Sequence, residues 1–366
     1  MSGRGNNSMA DNSWAIDLRN VAKIYGRRVH ALQGIAMQVR QGEVFGLLGP
    51  NGAGKSTLVK IMMTVVRPTH AEGQVLGQRV GHKPTLARIG YLPENHRFPR
   101  YLTGRQTLEF FAAMTKVDRA TARKRAAELL ETVRMQEWAN QKIAMYSKGM
   151  LQRIGLAQAM VNDPDLILLD EPTDGVDPVG RREIMEVLHS LRQRGKTVFI
   201  NSHALSELET ICDRVAILVK GQVARQGTIA DLTFARLRFE IEVEASSHED
   251  IRRLLQLFPA NWQESQMVIP TAPHLPPKAV SFWRGTLPDG TRVELRGATL
   301  HLGGLEAAAA QPALDTIRKA GFIVRRLQQV RPTLEELFME AITDPTTGQV
   351  VTPGAAGGPT RKAVAL

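Results

Sequence analysis

Cysteine is nearly absent from this chain: there is one, Cys212, in 366 residues. A single thiol excludes a disulfide within the chain and any site built from several cysteines, such as a structural zinc. The expected state of Cys212 is a buried, unreactive side chain. Long apolar runs are missing as well. No stretch approaches the roughly 18 consecutive apolar residues that mark a membrane-spanning helix. The opening, MSGRGNNSMADNSW, lacks the apolar h-region of a secretory signal. No CxxC pair, sustained heptad pattern or internal repeat occurs. With 43% hydrophobic and 23% charged residues, the composition is that of an ordinary globular protein. These absences lead to the expectation of a cytoplasmic protein.

Positive charge, by contrast, is plentiful. The net charge is +11, of which residues 1–235 carry +10 and residues 236–366 carry +1. Such an excess suits a surface facing phosphates, nucleic acid or an anionic membrane, and equally an ordinary solvated face. The length allows two domains.

Along the chain, residues 1–13 are rich in Gly, Ser and Asn and read as disordered. From residue 14 to 235, short apolar runs alternate with helical stretches. EVFGLLG (43–49), LILLD (166–170) and TVFIN (197–201) are too short and too apolar for surface helices and read as strands buried on both faces. Segments 105–116, 119–133 and 181–193 read as helices. This alternation predicts an α/β domain with a largely parallel sheet. Residues 236–343 form a second pattern: RFEIEVEA, TRVELRG and TLHLGG alternate as half-exposed strands, while SHEDIRRLLQLF, QPALDTIRKAG and PTLEELFMEAI read as helices. A small C-terminal α+β domain is expected, followed by a Gly/Pro/Ala/Thr-rich flexible tail over 344–366.

The stretch GPNGAGKST (49–57) follows a predicted strand and precedes a predicted helix, the context of a phosphate-binding loop. Gly49, Gly52 and Gly54 free the backbone to turn, so that successive N–H groups converge on anionic oxygens at a helix start. Lys55 is placed to reach the β- and γ-phosphates. Ser56 offers a hydroxyl to Mg²⁺, and Thr57 supports the helix start and the α-phosphate. Pro50, Asn51 and Ala53 complete the loop. The expected ligand is therefore a nucleoside triphosphate with Mg²⁺. Downstream, LILLDEPTDGVDP ends a buried strand in two acids. Asp170 suits Mg²⁺ held through its water shell, and Glu171 suits the general base or water-orienting group, a role worth roughly 10²–10⁴ in rate. Two acids ending a strand and opening a turn are the plainer alternative. His203, just after TVFIN, is a candidate partner for the γ-phosphate, although a lone histidine is more often structural.

Six motifs stand in one order: VAKIYG, GPNGAGKST, GYLPEN, YSKGMLQRIGLAQAM, LILLDEPTDGVDP and NSHALSE. Together, over residues 14–235, they resemble the ATP-binding-cassette ATPases, in particular the separate ATPase subunits of ABC transporters. The resemblance implies a P-loop NTPase cassette with a helical signature subdomain. It implies that Tyr25 stacks on adenine, a contact worth ~1–3 kcal/mol. Glu94 stands where a glutamine usually touches Mg²⁺ and couples the site to the membrane partner. Ser147, Lys148, Gly149 and Met150 stand where the family has Ser–Gly–Gly–Gln, the signature that closes over ATP held by a second subunit. Asp177 matches the loop linking the two nucleotide sites, and His203 matches the switch histidine. Lys55, Glu171 and His203 are thus the expected catalytic residues, and Ser56, Asp170 and Glu94 the expected metal contacts. The departures are Glu94, Lys148, Met150 and Asp174, the last standing where smaller residues are usual.

By the same resemblance the chain works as a homodimer, peripheral at the cytoplasmic face of the membrane, on a separate transmembrane permease. Segment 95–114, with Phe98, Tyr101, Leu108, Phe110 and Phe111, is the expected docking region. RPTLEELFMEAI (331–342) resembles the ending of ATPase subunits from ABC-2-type exporters. A soluble cassette acting on ribosomes or nucleic acid is the alternative that the positive charge keeps open, and a P-loop kinase is a further one. With one phosphate loop, no CxxC and no long heptad, no nucleic-acid partner is expected.

Overall fold

The computed structural model describes residues 14–234, 237–245, 247–269, 278–304, 307–343 and 356–357. The disorder expected for 1–13 lies outside the described residues, as does the tail 344–366 apart from Ala356 and Gly357. The described residues fall into two compact units, 14–229 with 356–357, and 230–343. The division comes after Ile229, where sequence patterning places it at 235–236.

In chain order the first unit runs β1 (Trp14–Tyr25), β2 (Val29–Arg40), β3 (Val44–Leu48), α1 (Lys55–Met62), β4 (His70–Val75), β5 (Gln78–Arg79), β6 (Ile89–Leu92), α2 (Gly104–Met114), α3 (Arg119–Thr132), α4 (Lys148–Ala159), β7 (Leu166–Asp170), α5 (Pro178–Gln193), β8 (Thr197–Asn201), α6 (Leu205–Ile211), β9 (Arg214–Val219) and β10 (Gln222–Thr228). One sheet has the order β10-β9-β3-β8-β7-β6. Its members β6, β7, β8, β3 and β9 are parallel, and β10 closes it as an antiparallel hairpin with β9. Strands β3, β7 and β8 are buried at every position, as strands covered on both faces must be. The expected parallel sheet is therefore present.

Sequence patterning does not anticipate a second sheet, in which β2-β1-β4-β5 pair antiparallel and Ala356–Gly357 add to the β2 edge against His30 and Val29. Register shifts interrupt β1 at several points, so its apolar residues do not alternate and no period of two is visible. The two sheets enclose a common core. Ile16, Leu18, Val21, Ile35 and Met37 from the antiparallel sheet meet Phe45, Leu47, Leu168, Phe199 and Leu218 from the parallel one, with Leu58, Val59 and Ile61 of α1 in the same cluster. Phe45 and Phe199 stack with ring centroids 5.8 Å apart. Cys212 is buried, and burial pushes its thiol pKa up, which leaves it a packing residue.

Helices α2, α3 and α4 make the helical part of this unit. Thr103 and Gln106 form a reciprocal cap on α2, Asp118 caps α3 and Ser147 caps α4, each leaving fewer orphan N–H groups. Leu108, expected on a docking face, is fully buried in α2. It belongs to the core because it lies on the face turned inward with Thr107 and Ala112. Phe98 and Phe111 pack edge to face at 5.7 Å, whereas Tyr101, Phe110 and Met114 are exposed.

After α7 (Ile229–Phe234), the second unit comprises β11 (Arg238–Val243), α8 (His248–Leu257), β12 (Gln263–Ile269), β13 (Lys278–Thr286), β14 (Arg292–Arg296), β15 (Thr299–Gly303), α9 (Gln311–Lys319), β16 (Val324–Val330) and α10 (Leu334–Ile342). Its sheet, ordered β12-β13-β14-β15-β11-β16, is antiparallel throughout. Phe239, Ile241, Val293, Leu295, Leu300 and Leu302 share a core with Leu254 of α8 and Leu314 and Ile317 of α9. The alternate positions are polar: Glu240 joins Arg238 at 3.1 Å and His301 at 3.2 Å, and Arg238 reaches Glu336 of α10 at 2.8 Å. Among the described residues no helix is long and apolar enough to cross a membrane.

Truncating Phe199 removes a fully buried ring and its stacking partner's contact. Phe199→Ala should destabilise the first unit by about 3–5 kcal/mol, read as a lowered midpoint in urea unfolding. A loss under about 1 kcal/mol would show that the joint core collapses around the gap.

Candidate nucleotide site

Strand β3 lies between β8 and β9, and its carboxyl end opens into the loop 49–54. Ligands of parallel α/β sheets bind at such strand ends. Gly54 caps α1 in the left-handed region at φ 107°, and a Cβ there would press on the Ala31 carbonyl and stand 2.7 Å from Leu32 Cδ2. Only glycine lets the loop lie this close to β2. Lys55, the first residue of α1, is buried. Its ammonium donates to the loop's own carbonyls, Gly49 at 2.6 Å and Pro50 at 3.3 Å. Burial lowers its pKa, and the charges of Glu171, Asp170 and Glu94 oppose that fall. Ser56 and Thr57 are half-buried in the first turn of the helix.

The acids stand at the next strand ends. Asp170 closes β7 and is buried. The Asn201 amide at the end of β8 donates to its carboxylate. Burial is the main cause that raises the Asp170 pKa to about 6, with Glu94 and Glu171 adding to it and the Asn201 bond working against it. Glu171 follows in the left-handed region, at φ 51°, a conformation that costs a non-glycine residue about 1–3 kcal/mol. Two backbone bonds hold it there: its N–H donates to the Asn201 carbonyl at 2.8 Å, and its carbonyl accepts from Gln152 Nε2 at 3.0 Å. The side chain is thereby aimed at the end of β8. Its Oε2 accepts from the Ser202 hydroxyl at 3.2 Å and from the His203 N–H at 3.3 Å, and His203 Nδ1 lies 2.8 Å from it.

Lys55, Asp170, Glu171, Glu94 and His203 are thus brought into one cluster. Tyr25 ends β1 and is 38% exposed, not in the core, and the Lys23 ammonium lies 4.7 Å from the ring centre. Ser147, Lys148, Gly149 and Met150 open α4. The Ser147 hydroxyl accepts from the Met150 N–H at 3.3 Å, and Lys148 pairs with Asp174. Asp177 caps α5 through its backbone alone. Four participants escape sequence reasoning: Asn201, Ser202, Gln152 and Tyr91. The last is half-buried, its pKa raised to about 12 by burial and then by Asp170 and Glu94. The polar pair Asn201–Ser202 directly before His203, at the end of an apolar strand, was the available signal for two of them.

Hard oxygen donors, Asp170, Glu94 and Ser56, suit a cation such as Mg²⁺. Among the described residues no three of His, Cys, Asp or Glu converge into a metal cage, so such a cation would take its remaining ligands from phosphate and water. The buried Asn201 Oδ1 lacks a protein partner and stands beside Asp170 as an acceptor for such water.

The sequence model of the ABC transporter family matches residues 32–174. An uncharacterized ABC transporter ATP-binding protein of Nostoc sp., all4389, is 43% identical over 65% of this chain and 73% of its own length. The chain belongs to the ABC transporter ATP-binding proteins. The Nod factor export ATP-binding protein I of a Rhizobium sp. is 33% identical over 83% of this chain and 95% of its own length. Among solved structures, a dimeric ATP-binding cassette, MJ0796, in a post-hydrolysis state bound to ADP and phosphate, is 28% identical. It superposes with a TM-score of 0.54 over 58% of this chain and 98% of its own. This ABC transporter ATP-binding protein is accordingly an ATP hydrolase on a P-loop NTPase fold.

An aspartic acid whose folded pKa stands at about 6, against an ordinary 3.8, holds its proton more tightly folded than unfolded. Stability of the nucleotide-free protein therefore falls as pH rises from about 4 to about 6 and stays lower above that. Asp170→Asn keeps an oxygen for the Asn201 amide and removes the charge. Thermal melts should show it more stable at about pH 7.5 by about 1–2 kcal/mol, with the gain shrinking toward pH 4. A gain independent of pH, or a loss at the higher pH, contradicts the burial penalty.

Proposed function

We propose that this chain is the ATPase subunit of an ABC-2-type exporter, peripheral at the cytoplasmic face of the membrane. Two copies sandwich MgATP and drive a separate transmembrane permease. The observation that carries the reading is the convergence of Lys55, Asp170, Glu171 and His203 at the ends of three neighbouring parallel strands. The export assignment draws support from the Rhizobium relative named for Nod factor export, whose match extends past the cassette through most of the second unit's length.

In this reading the loop 49–57 cradles the phosphates through its N–H groups, and Lys55 exchanges the Gly49 and Pro50 carbonyls for β- and γ-phosphate oxygens. Tyr25 offers its ring to the adenine. Magnesium, held by Ser56 and Asp170 with help from Glu94, supplies charge neutralisation on the phosphate oxygens. Glu171 accepts a proton from water as the water oxygen bonds to the γ-phosphorus and the bond from that phosphorus to the ADP oxygen breaks, leaving ADP and phosphate. His203 stands beside the Glu171 carboxylate, Nδ1 2.8 Å from Oε2, as the candidate donor to a γ-phosphate oxygen. Ser147 uses its oxygen as an acceptor within its own helix and keeps its O–H to donate to the partner's nucleotide. Gly149 and Met150 add N–H groups, and Asp177 joins the two sites. Tyr101, Phe110 and Met114, exposed beside several arginines, suit the permease contact.

Glu171→Gln should bind ATP, lose turnover by roughly 10²–10⁴ and elute as a dimer with MgATP in gel filtration; turnover near that of the parent would remove Glu171 from the water-activating role. Lys55→Ala should weaken ATP binding about tenfold or more in fluorescence titration, since it deletes a charge-assisted contact to phosphate. Unchanged affinity would discredit the loop as the phosphate cradle.

A further inference from the structure

Lys148 and Asp174 both depart from the residues expected at their positions, and they touch. Lys148 Nζ lies 2.9 Å from Asp174 Oδ2 across 26 residues of chain. The lysine stem runs flat over Gly175: a Cβ there would stand 2.6 Å from Lys148 Cε and 2.9 Å from Cδ, and Gly175 has φ 63°. A side chain at 175 would push the flexible lysine end aside, so the lysine's present path uses the space that Gly175 leaves. One helical turn further along α4, the buried Gln152 donates to the Glu171 carbonyl at 3.0 Å. Spacing of four residues puts Lys148 and Gln152 on one face of the helix. Gly149, between them, faces Val176, whose Cγ1 would stand at ordinary contact distance, 3.4 Å, from a Cβ. The turn they grip is itself closed, with Asp174 N–H donating to the Glu171 carbonyl and Val176 N–H to the Thr173 carbonyl, each at 3.2 Å.

We propose that the Lys148–Asp174 pair is a positioning tether: it fixes the start of α4, which completes the partner's nucleotide site, to the turn that carries this protomer's own Glu171. The inference rests on the face-to-face dimer proposed above. Each site is then linked to the other through one short path, Glu171 to Asp174 to Lys148, in addition to the Gln152 bond. Both side chains are about half exposed, and pairs of that kind add little to global stability. Its effect belongs in alignment.

The test uses the full-length Glu171→Gln protein, with MgATP-driven assembly followed by analytical ultracentrifugation. Asp174→Ala and Lys148→Ala should each raise the ATP concentration at half assembly about threefold or more. The charge reversal, Lys148→Asp together with Asp174→Lys, should return it toward the parent value, which a simple structural defect would not allow. If Asp174→Ala lowers the concentration, Asp174 restrains Lys148 from the nucleotide and the tether is overturned; no change, or a reversal that fails to restore, also overturns it. If the Glu171→Gln protein never assembles at saturating MgATP, the dimer itself is what fails. The tether is then decided in the nucleotide-free chain, where Asp174→Ala should speed amide exchange in 147–152 and 171–177 together, and unchanged exchange in both rejects it.

Discussion

A buried ammonium among carboxylates organises this cassette. Lys55 has been withdrawn from water, which disfavours its charge, and the negative charges of Glu171, Asp170 and Glu94 oppose that effect without cancelling it. The same balance is unfavourable from the acid side, because burial and the neighbouring carboxylates raise the Asp170 pKa to about 6 and make its charge costly. Without a ligand the cluster holds more acid than it can comfortably ionise. A nucleotide would bring phosphate to Lys55, and an accompanying divalent cation would offset the charge on Asp170, so each ligand would relieve a different half of the imbalance.

That balance requires the strand ends to be in register. Parallel pairing sets β7 beside β8 with Asp170 opposite Asn201, and the Asn201 side chain and backbone carbonyl then serve Asp170 and Glu171 respectively. The left-handed backbone at Glu171 is the cost of turning its carboxylate toward His203 instead of continuing along the strand. The packing that over-determines this conformation comes from β8 and α4, so the strain is carried by the sheet and the helical part jointly.

The second unit follows a simpler rule. An antiparallel sheet needs an apolar partner on one face only, and α8 and α9 provide it. The other face carries ion pairs from Arg238 to Glu240 and Glu336, with His301 Nδ1 3.2 Å from Glu240. His301 is nonetheless largely buried, which lowers its pKa, so this face is not merely a solvated surface.

Much of this protein is written locally. The buried strands at 44–48, 166–170 and 197–201, the phosphate loop and the acid pair are contiguous motifs, each readable because the physics that shapes it acts within a few residues. The helices of the second unit were legible for the same reason, as was its alternation at 238–243 and 292–303. The antiparallel sheet of the first unit was not, because bulges in β1 erase the alternation that a sequence can display, and the edge strand β16, mostly polar, shows none. Nor could the sequence pair Gln152 with Glu171, Asn201 with Asp170, or Lys148 with Asp174. Those partners lie 19 to 31 residues apart, and only strand order and helix packing bring them within bonding distance. Leu108 makes the same point in reverse: its residue type suited a partner groove, and the rotation of α2 against the core decided otherwise. Local propensity therefore determined the elements and named the charged actors, whereas tertiary packing decided which of them meet, because burial and pairing are properties of neighbours in space.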